Sequence, residues 1–417
     1  MIEMLFTQAL GLVAPWQVKQ VDFNREAGRI DFHVTFGSSR HVCPACGAAA
    51  QPLHDRLARY WRHLDFFQYE AYLHAEVPRV ACSGCGKVTQ IPVPWAREGS
   101  RFTLLFEALT LMLAPTMSAL AAGRLVRVPP RRLWRVIEHH VGKARAKESH
   151  AEVRAVGVDE TACRRGQQYL SVFYDLDAQR LIFATPGRDK SCLERFAEDL
   201  TVHGGQPQAV THVSMDMSRS FQAGAAEHFP QATVCFDRFH VVALGSKALD
   251  EVRRAEVKSQ PELKGTRWSL LKNPSAWTIP QLQTMHWLQR SNLKTARAWR
   301  IKQALRAIYA TARSPDEARP LFQRWLSWAR RCRLDPFKGL ARTITTHLTG
   351  ILNGFEAGKH NGRVEAMNRA LQEARARARG YRRVENFIAM AYLVAGKLTH
   401  LPTPPFAQIA LVPHKTE

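Results

Sequence analysis

The sequence predicts a chain of mixed fold class, in which an α/β domain is interrupted by a helical insertion and preceded by two smaller modules. Three observations lead to this prediction: residues 151–240 alternate strand-like and helix-like patterns, residues 245–400 are mainly helical, and two close cysteine pairs lie within the first 95 residues. A chain of 417 residues has room for about two to four domains. We expect six parts, with boundaries at 1–95, 97–147, 151–244, 245–355, 356–400 and 401–417.

The charge balance indicates a nucleic-acid partner. Lys and Arg number 59 against 36 Asp and Glu, which gives a formal charge of +23. An excess of this size favours a polyanion. An anionic membrane surface is the alternative, but no basic amphipathic helix or lipidation signal stands out.

The sequence also predicts a cytoplasmic protein with no membrane span. The most apolar stretch, 102–122, contains Glu107 and Pro115, which argues against a spanning helix. The N-terminus carries Glu3 and lacks the basic start of a signal peptide. The eight cysteines are not spread like a disulfide framework, which is typical of a reducing compartment.

The first module, 1–95, contains two C-x-x-C pairs that are each followed by glycine. Two residues between cysteines allow both sulfurs to bind one ion from a tight turn, and four thiolates complete a tetrahedral Zn²⁺ site. With no open position left for substrate, this zinc is expected to be structural. The insert between the pairs is expected to form a β-hairpin from 59–67 and 69–80. The predicted ligands are Cys43, Cys46, Cys82 and Cys85.

The second module, 97–147, has the pattern of a helix-turn-helix. One helix is expected from Phe102 to Leu113, a second is capped by Thr116 or Ser118, and a third starts at Pro129-Pro130. Apolar residues at i, i+4 and i+8 of the third helix predict a buried stripe. Its basic residues fall away from that stripe, as major-groove binding requires; an ordinary three-helix scaffold with a solvated basic face is the alternative. The stripe is Leu133, Ile137 and Val141, and the predicted DNA-binding residues are Arg131, Arg132 and Arg135.

The α/β region shows three strands, a helix, a strand, a helix and a strand. This is the order of an RNase-H-like domain, although other mixed α/β sheets share it. Ser191 is expected to cap the first helix. Three strands end directly before an acid. The expected strands are 154–158, 169–174, 180–185, 210–215 and 233–236, and the acids are Asp159, Asp216 and Asp237.

Asp159 and Asp216 are candidate catalytic carboxylates because strand ends converge at one edge of such a sheet. Close carboxylates repel one another unless cations lie between them. Hard divalent cations prefer oxygen ligands, and a pair of them promotes phosphoryl transfer. Glu365 is the expected third ligand, since it lies in a polar turn that opens into a helix. Basic residues follow it and are expected to bind DNA phosphates, among them Arg369, Arg375 and Arg379.

These motifs together resemble the ISL-three family of insertion-sequence transposases over nearly the whole chain. The matching blocks, in the order of the family, are the paired C-x-x-C motifs, the helix-turn-helix, Val158-Asp159-Glu160, Ser214-Met-Asp216-Met, Phe236-Asp237-Arg-Phe-His240-Val, Asn361-Gly-Arg-Val-Glu365-Ala-Met-Asn368, and Arg379-Gly380-Tyr381-Arg382 with Glu385-Asn386-Phe387. The length of the zinc loop departs from the pattern.

The resemblance implies a DDE transposase with an RNase-H-like catalytic domain. It implies that Asp159, Asp216 and Glu365 bind catalytic Mg²⁺ or Mn²⁺. Activated water then frees a 3′-OH at the element end, and this 3′-OH attacks target DNA without a covalent protein intermediate. Asp237, His240 and Asn361 are candidate supporting residues, and His240 contacting DNA is an alternative.

The same resemblance implies double-stranded DNA as partner, both terminal inverted repeats and target, and a homo-oligomer that pairs two ends on the nucleoid. It also makes residues 245–355 a helical insertion, whose core is expected to contain Trp268, Trp287, Trp299, Trp325 and Trp328. The alternatives are a non-catalytic DNA-binding regulator, a structure-specific nuclease on the same fold, and a zinc-dependent RNA-binding protein.

Overall fold

The structure, a computed structural model, describes residues 2–38, 41–164, 168–355 and 362–403. The chain divides into two compact units. The first comprises the residues up to Arg145 with those from Leu398 onward, and the second comprises Ala146–Lys397. Among the described residues, no helix is long and apolar enough to cross a membrane.

A five-stranded sheet forms most of the first unit. Its order is β1-β2-β4-β3, with β5 paired to the end of β4. The expected hairpin is present, since β3 and β4 pair antiparallel, but its first strand lies at 53–62 rather than at the expected 59–67. The elements are α1 (Ile2–Ala9), β1 (Trp16–Asn24), β2 (Arg29–Phe36), β3 (Leu53–Arg62), β4 (Glu70–Ala81) and β5 (Val88–Gln90).

Three tryptophans close the core under this sheet. Trp95 packs edge-on against Trp16 and Trp61, with ring centroids 4.9 and 5.5 Å apart. All three are buried, together with Phe32 and Leu73 from the central strands. Aromatic burial of this extent gives so small a sheet its stability.

Three helices complete the first unit: α2 (Leu104–Leu113), α3 (Ala119–Leu125) and α4 (Pro130–Arg145). The first begins two residues later than expected because the Thr103 side chain accepts a hydrogen bond from Phe106 N and caps it. Ser118, one of the two expected caps, caps α3. The expected stripe of α4 is confirmed, since its three residues are buried.

The second unit contains a five-stranded sheet of order β10-β9-β6-β7-β8. Strands β6, β9 and β10 are parallel to one another, while β6, β7 and β8 form an antiparallel meander. The elements, in the order expected from the sequence, are β6 (Ala155–Arg164), β7 (Gln168–Asp175), β8 (Arg180–Pro186), α5 (Ser191–Val202), β9 (His212–Met215), α6 (Arg219–His228), β10 (Thr233–Phe236) and α7 (Arg238–Glu256).

Two expectations about this sheet were wrong in detail. Asp159 does not end its strand, because β6 stays paired with β7 as far as Arg164. Ser191 does not cap α5 but is its first residue, and Asp189 Oδ1 accepts its backbone N–H at 2.9 Å.

Helices fill the rest of the second unit, and their core is continuous with that of the sheet. Trp325 is buried and Trp299 half-buried, but the expectation that all five tryptophans form the core was wrong. Trp268, Trp287 and Trp328 expose 62%, 41% and 40% of their surface, while other side chains, among them Leu305, Phe322 and Phe337, fill the core. The helices are α8 (Arg267–Leu271), α9 (Ile279–Arg290), α10 (Lys294–Thr311), α11 (Pro315–Arg331), α12 (Asp335–Thr346), α13 (Leu348–Asn353), α14 (Gly362–Arg377) and α15 (Val384–Ala395).

Candidate active site and zinc centre

The register of the three parallel strands aligns three aspartates. Gly157 of β6 pairs with Ser214 of β9, and Met215 pairs with Phe236 of β10. If the register of β6 and β9 is extended by two residues, Asp159 lies level with Asp216. If that of β9 and β10 is extended by one residue, Asp216 lies level with Asp237. The backbone N–H of Asp237 donates to Met215 O at 3.1 Å, so the alignment continues past the paired residues. Pairing between β6 and β9 ends at Gly157, which leaves the edge of β6 beside Asp159 open toward Asp216.

Asp159 lies in a crowded electrostatic environment. Burial raises the pKa of its carboxyl group, and the charges of Asp237 and Asp216 raise it further, against the opposing effects of the Glu160 N–H and of His240. Glu160 N donates to Asp159 Oδ1 at 2.7 Å. Carboxylates held this close in the absence of metal favour protonation, and a divalent cation would remove that repulsion.

His240 supplies positive charge to this acidic cluster. Its Nδ1 lies 3.2 Å from Asp237 Oδ2, and this hydrogen bond, together with the charges of Asp159 and Asp216, raises the pKa of the imidazole. Asp237 is buried, and its Oδ1 caps α7 by accepting from Phe239 N at 3.1 Å. Asp237 therefore positions His240 through the first turn of α7.

Glu160 is an acid of this site that the sequence reasoning missed. Burial and the charges of Asp216 and Asp159 raise the pKa of Glu160 to about 7. Its position next to Asp159 was visible in the sequence, but neighbouring residues of a strand point to opposite faces, which argues against a shared role.

A hydrogen-bonded chain joins α14 to β6. Asn368 Nδ2 donates to Asp159 Oδ2, and Tyr174 OH, fully buried on β7, donates to Asn368 Oδ1 at 2.5 Å. One turn later, Gln372 Nε2 donates to Thr161 Oγ1. Asn368 belongs to the block that resembles the ISL-three family, but nothing in the sequence indicated its role, and Tyr174 carried no signal at all.

Glu365 lies on α14 three residues before Asn368, and therefore on the same face of that helix. It is half-buried. In the described part of the chain, the carboxylates of Asp159, Asp216 and Glu365 are not gathered within 4.8 Å of one another, as the four cysteines are. Asn361 lies outside the described residues.

A cavity of about 460 Å³ opens beside Asp216. Asp216 Oδ1 accepts from Ser218 N at 2.9 Å, which fixes the carboxylate at the rim. His240, Lys247 and His347 also line the cavity. The cavity therefore combines the Asp216 carboxylate with the basic side chains of His240 and Lys247, which suits a phosphate-containing substrate.

Basic side chains surround a second cavity of about 690 Å³ at the C-terminal end of α14. Arg375, Arg379 and Arg382 line it, with Tyr381 and Gln372. Arg375 Nη1 donates to Gln372 Oε1 at 3.2 Å, and Gln372 in turn contacts β6. The positive groups are thus attached to the strand that carries Asp159. Arg369, the remaining basic residue expected to bind DNA on this helix, is exposed.

In the helical part of the first unit, Arg131 and Arg135 are exposed on α4. Arg132 is half-buried, and its guanidinium lies over the Phe102 ring, 4.4 Å from the centroid. Arg132 therefore packs within its own unit, while the other two are free to face a ligand.

The four cysteines form a structural zinc centre. One sulfur from each lies within 4.8 Å of the other three. The Sγ atoms of Cys46 and Cys82 are 3.5 Å apart and those of Cys43 and Cys85 are 3.8 Å apart. Sulfurs about 2.3 Å from a tetrahedral zinc are about 3.8 Å apart, so the donors fit this ion.

Two equivalent turns hold these sulfurs. Gly47 N donates to Cys43 O and Gly86 N donates to Cys82 O, both at 2.9 Å. Both glycines have positive φ, +76° and +68°, a conformation that side chains rarely adopt. Hydrogen bonds from the backbone of Cys46 and Ala45 lower the pKa of the Cys43 thiol to about 6. Against a hydrogen bond from the backbone of Ala48, the neighbouring sulfurs raise the pKa of Cys46 to about 12, so zinc must displace protons when it binds.

Comparison with known families adds three matches along the chain. Residues 156–391 match a family described as transposase, of the DDE type of family ISL3. Residues 39–85 match the zinc finger of transposases IS204, IS1001, IS1096 and IS1165. Residues 91–141 match the helix-turn-helix domain of transposase family ISL3.

Individual relatives agree with these matches. The chain is 33% identical over 400 residues to proteins named transposase for insertion sequence element IS1557, from two strains of Mycobacterium tuberculosis, and the alignment covers 87% of each chain. It is 25% identical over 401 residues to a protein named transposase for insertion sequence element IS1001, from Bordetella parapertussis, with 93% of this chain and 97% of the relative covered.

Proposed function

The chain belongs to the ISL3 family of DDE transposases, and we propose that Asp159, Asp216 and Glu365 are the carboxylates with which it cuts and joins DNA. A zinc ribbon and a helix-turn-helix domain precede the transposase domain. We further propose that the sheet of order β10-β9-β6-β7-β8 is RNase-H-like, and that residues 245–355 are an insertion between its second and third catalytic acids.

The observation that carries this proposal is that β6 and β9 pair as far as Gly157 and Ser214, with Asp159 and Asp216 each two residues further on, and that the charge of Asp216 raises the pKa of Asp159. The link from Asn368 to Asp159 adds the third residue, because it attaches the helix that carries Glu365 to the same strand. An oxygen-only donor set of this kind suits Mg²⁺ or Mn²⁺. When bound, such cations neutralise the carboxylates and the charge that develops on the phosphate.

The residues of the chain have different roles in two successive phosphoryl transfers. Asp159, Asp216 and Glu365 would hold the cations, and the Asn368–Tyr174 chain orients Asp159. In the first transfer, a water oxygen bonds to phosphorus, its proton leaves, and the bond to the 3′ oxygen breaks, which frees a 3′-OH. In the second, that 3′ oxygen bonds to a target phosphorus and displaces the oxygen of the neighbouring nucleotide.

Basic residues supply the DNA contacts in this proposal. Arg131 and Arg135 on α4 bind the terminal inverted repeats, and Arg369, Arg375 and Arg379 bind phosphates near the carboxylates. Joining requires two element ends at once, so we propose that the active form is a homo-oligomer, acting in the cytoplasm on nucleoid DNA.

The test is strand cleavage and joining on labelled DNA that carries the element ends, with Mg²⁺ or Mn²⁺. Wild type is compared with Asp216→Asn and with Asp177→Asn, an exposed aspartate that serves as matched control. We expect Asp216→Asn to lose at least about a thousandfold in cleavage rate, since metal stabilisation of the transition state amounts to several kcal/mol. The control is expected to remain active.

The alternatives give different results in the same assay. A nuclease on this fold would cleave the labelled ends without joining them to target DNA. A DNA-binding regulator would bind the ends tightly and leave them uncut in wild type and in both variants.

A further inference from the structure

We propose that His150, Asp199 and His203 form a second transition-metal site, separate from both the cysteine cluster and the carboxylates. All three residues belong to the second unit. His150 precedes β6, Asp199 lies in the last turn of α5, and His203 follows that helix directly. One ligand atom from each lies within 4.8 Å of the other two.

The contacts of His203 preset part of this geometry. Its Nδ1 lies 2.8 Å from the Asp199 carbonyl oxygen and 3.6 Å from Asp199 Oδ2. The first contact holds the imidazole against the end of α5. Because Nδ1 carries the proton of this hydrogen bond, Nε2 has the free lone pair and is the nitrogen that would bind the metal, with Asp199 Oδ2 on the same side of the helix end.

His150 provides an observation that is independent of these distances. Its side chain is 2% exposed, and neither ring nitrogen makes a hydrogen bond of ordinary geometry. Its ring stacks on that of His203, with centroids 4.7 Å apart. A buried imidazole without partners is costly, and a metal ion bound to one nitrogen removes much of that cost. Burial also lowers the pKa of His150, which keeps the ring neutral and its lone pair available.

The donor set selects the kind of metal. Two imidazoles and one carboxylate suit Zn²⁺ or a similar first-row ion rather than Mg²⁺, which prefers oxygen alone. Three protein ligands leave one tetrahedral position for water. Neighbouring ligands that bind zinc at about 2.0–2.1 Å are about 3.3 Å apart. Ligand atoms within 4.8 Å of one another therefore draw together by up to about 1.5 Å on binding.

The position of the site indicates what the ion does. His150 N donates to His203 O at 2.9 Å, so the segment that enters the domain already contacts the end of α5. A bound ion adds side-chain bonds to this backbone contact. It therefore fastens the segment that leads into β6, the strand that carries Asp159.

Counting zinc ions per chain tests the proposal. Every protein in this experiment is full length and carries Asp159→Asn and Asp216→Asn, and the protein with only these two substitutions is the parent. The two substitutions prevent zinc from binding at the carboxylates. After equilibration with zinc and dialysis, we expect two zinc ions per chain, and one after His203→Gln. His286→Gln, an exposed histidine of α9, is the matched control and is expected to retain two.

Titration with the metal gives the affinity of the second site. We expect Asp199→Asn to weaken it by more than about a hundredfold, since loss of an outer-shell partner alone costs about 10–100-fold. A single zinc in the parent chain overturns the proposal, and so does a second zinc that His203→Gln leaves in place.

Cobalt substitution keeps the test independent of the variants. Thiolate charge-transfer absorption is expected to saturate at one equivalent of Co²⁺, while the weaker d–d absorption of an imidazole and carboxylate site continues to rise through the second equivalent. Saturation of both absorptions at one equivalent would refute the second site.

Discussion

The zinc centre and the carboxylate site assemble in opposite ways. Each half of the zinc centre is one tight turn, closed by a glycine and a hydrogen bond four residues back along the chain. The carboxylates come from separate strands, and the helix that carries Glu365 begins about 150 residues after Asp216 along the chain. The first is therefore readable from spacing, whereas the second depends on strand register.

This difference predicts which property of the protein depends on each site. The zinc ion is itself a large part of the stability of a small sheet, because metal binding and folding are coupled. Asp159 and Asp216 belong to a sheet with a large core of its own. A substitution at one of these carboxylates should therefore leave the fold intact and affect activity alone. Substitutions in the two regions should separate stability from activity.

The largest effect is expected from Cys82→Ser. Loss of one thiolate forfeits much of a zinc-binding free energy that is about 10–16 kcal/mol in structural sites, so the N-terminal sheet should unfold. Zinc analysis and limited proteolysis measure the result, with residues up to Arg145 becoming sensitive and Ala146–Lys397 staying protected. Cys332→Ser is the control, since this buried cysteine lies outside the cluster. Equal resistance of both units to proteolysis in Cys82→Ser would contradict a stabilising role of the zinc ion in the first unit.

Glu107→Gln should come next. Glu107 is fully buried, and its carboxylate accepts from Arg97 at 3.0 Å, from Ser100 at 2.6 Å and from His140 at 2.6 Å. Breaking a buried charge network costs about 3–5 kcal/mol, which urea unfolding of the first unit would show. Glu98→Gln, at an exposed position, should have little effect.

The pH dependence of this stability has a defined sign. Burial raises the pKa of Glu107, but the hydrogen bonds from His140, Ser100 and Arg97 outweigh it and hold the pKa below its ordinary 4.5. A lowered pKa means stability that is present above pH 4.5 and lost as the pH falls through the folded-state value. The difference in free energy of unfolding between wild type and Glu107→Gln should therefore become smaller in acid. A difference that becomes larger in acid would contradict the role of this hydrogen-bond network.

Asn368→Ala tests the catalytic region without touching a carboxylate. Removal of the amide frees Asp159 from its donor and leaves Tyr174 OH without its acceptor. Loss of such an orienting partner lowers activity by about 10–100-fold. Cleavage rates at saturating metal would measure this, with unchanged binding of DNA ends. Glu373→Ala, on the exposed side of α14, is the control, and equal losses in both variants would point to general damage of the helix.

The smallest effect is expected from Arg131→Ala. A lost phosphate contact weakens binding uniformly across sequences and reduces the salt slope of the affinity by about 1. Fluorescence anisotropy over a salt series measures this. Arg132→Ala is the informative comparison, because its guanidinium packs on Phe102 and its loss should reduce stability instead. An unchanged slope in Arg131→Ala would remove this residue from the DNA surface.

Much of the molecule followed from local patterns. The four cysteines, the cap at Ser118, the stripe on α4 and the order of strands and helices in the second unit agree with expectation. Each depends on contacts within a few residues or on a repeat of fixed period, and such interactions are visible in a linear sequence.

The errors over Asp159 and the tryptophans share one cause. Whether Asp159 ends its strand depends on how far β7 pairs with β6, and whether Trp268 is buried depends on which helices cover it. Pairing and coverage are set by residues far away in the chain. Periodicity therefore located these residues in the right elements but not in the right surroundings.

The four cysteines of the zinc centre, the candidate carboxylates and the order of the elements were thus encoded locally, in spacing, turns and caps. Only the tertiary structure decided three further features. These are the common level of Asp159, Asp216 and Asp237, the hydrogen bond of Tyr174 to Asn368, and the burial of His150 with no hydrogen bond to its ring nitrogens. The physical reason is that strand register and burial depend on the whole hydrophobic core, which brings together residues that no local rule connects.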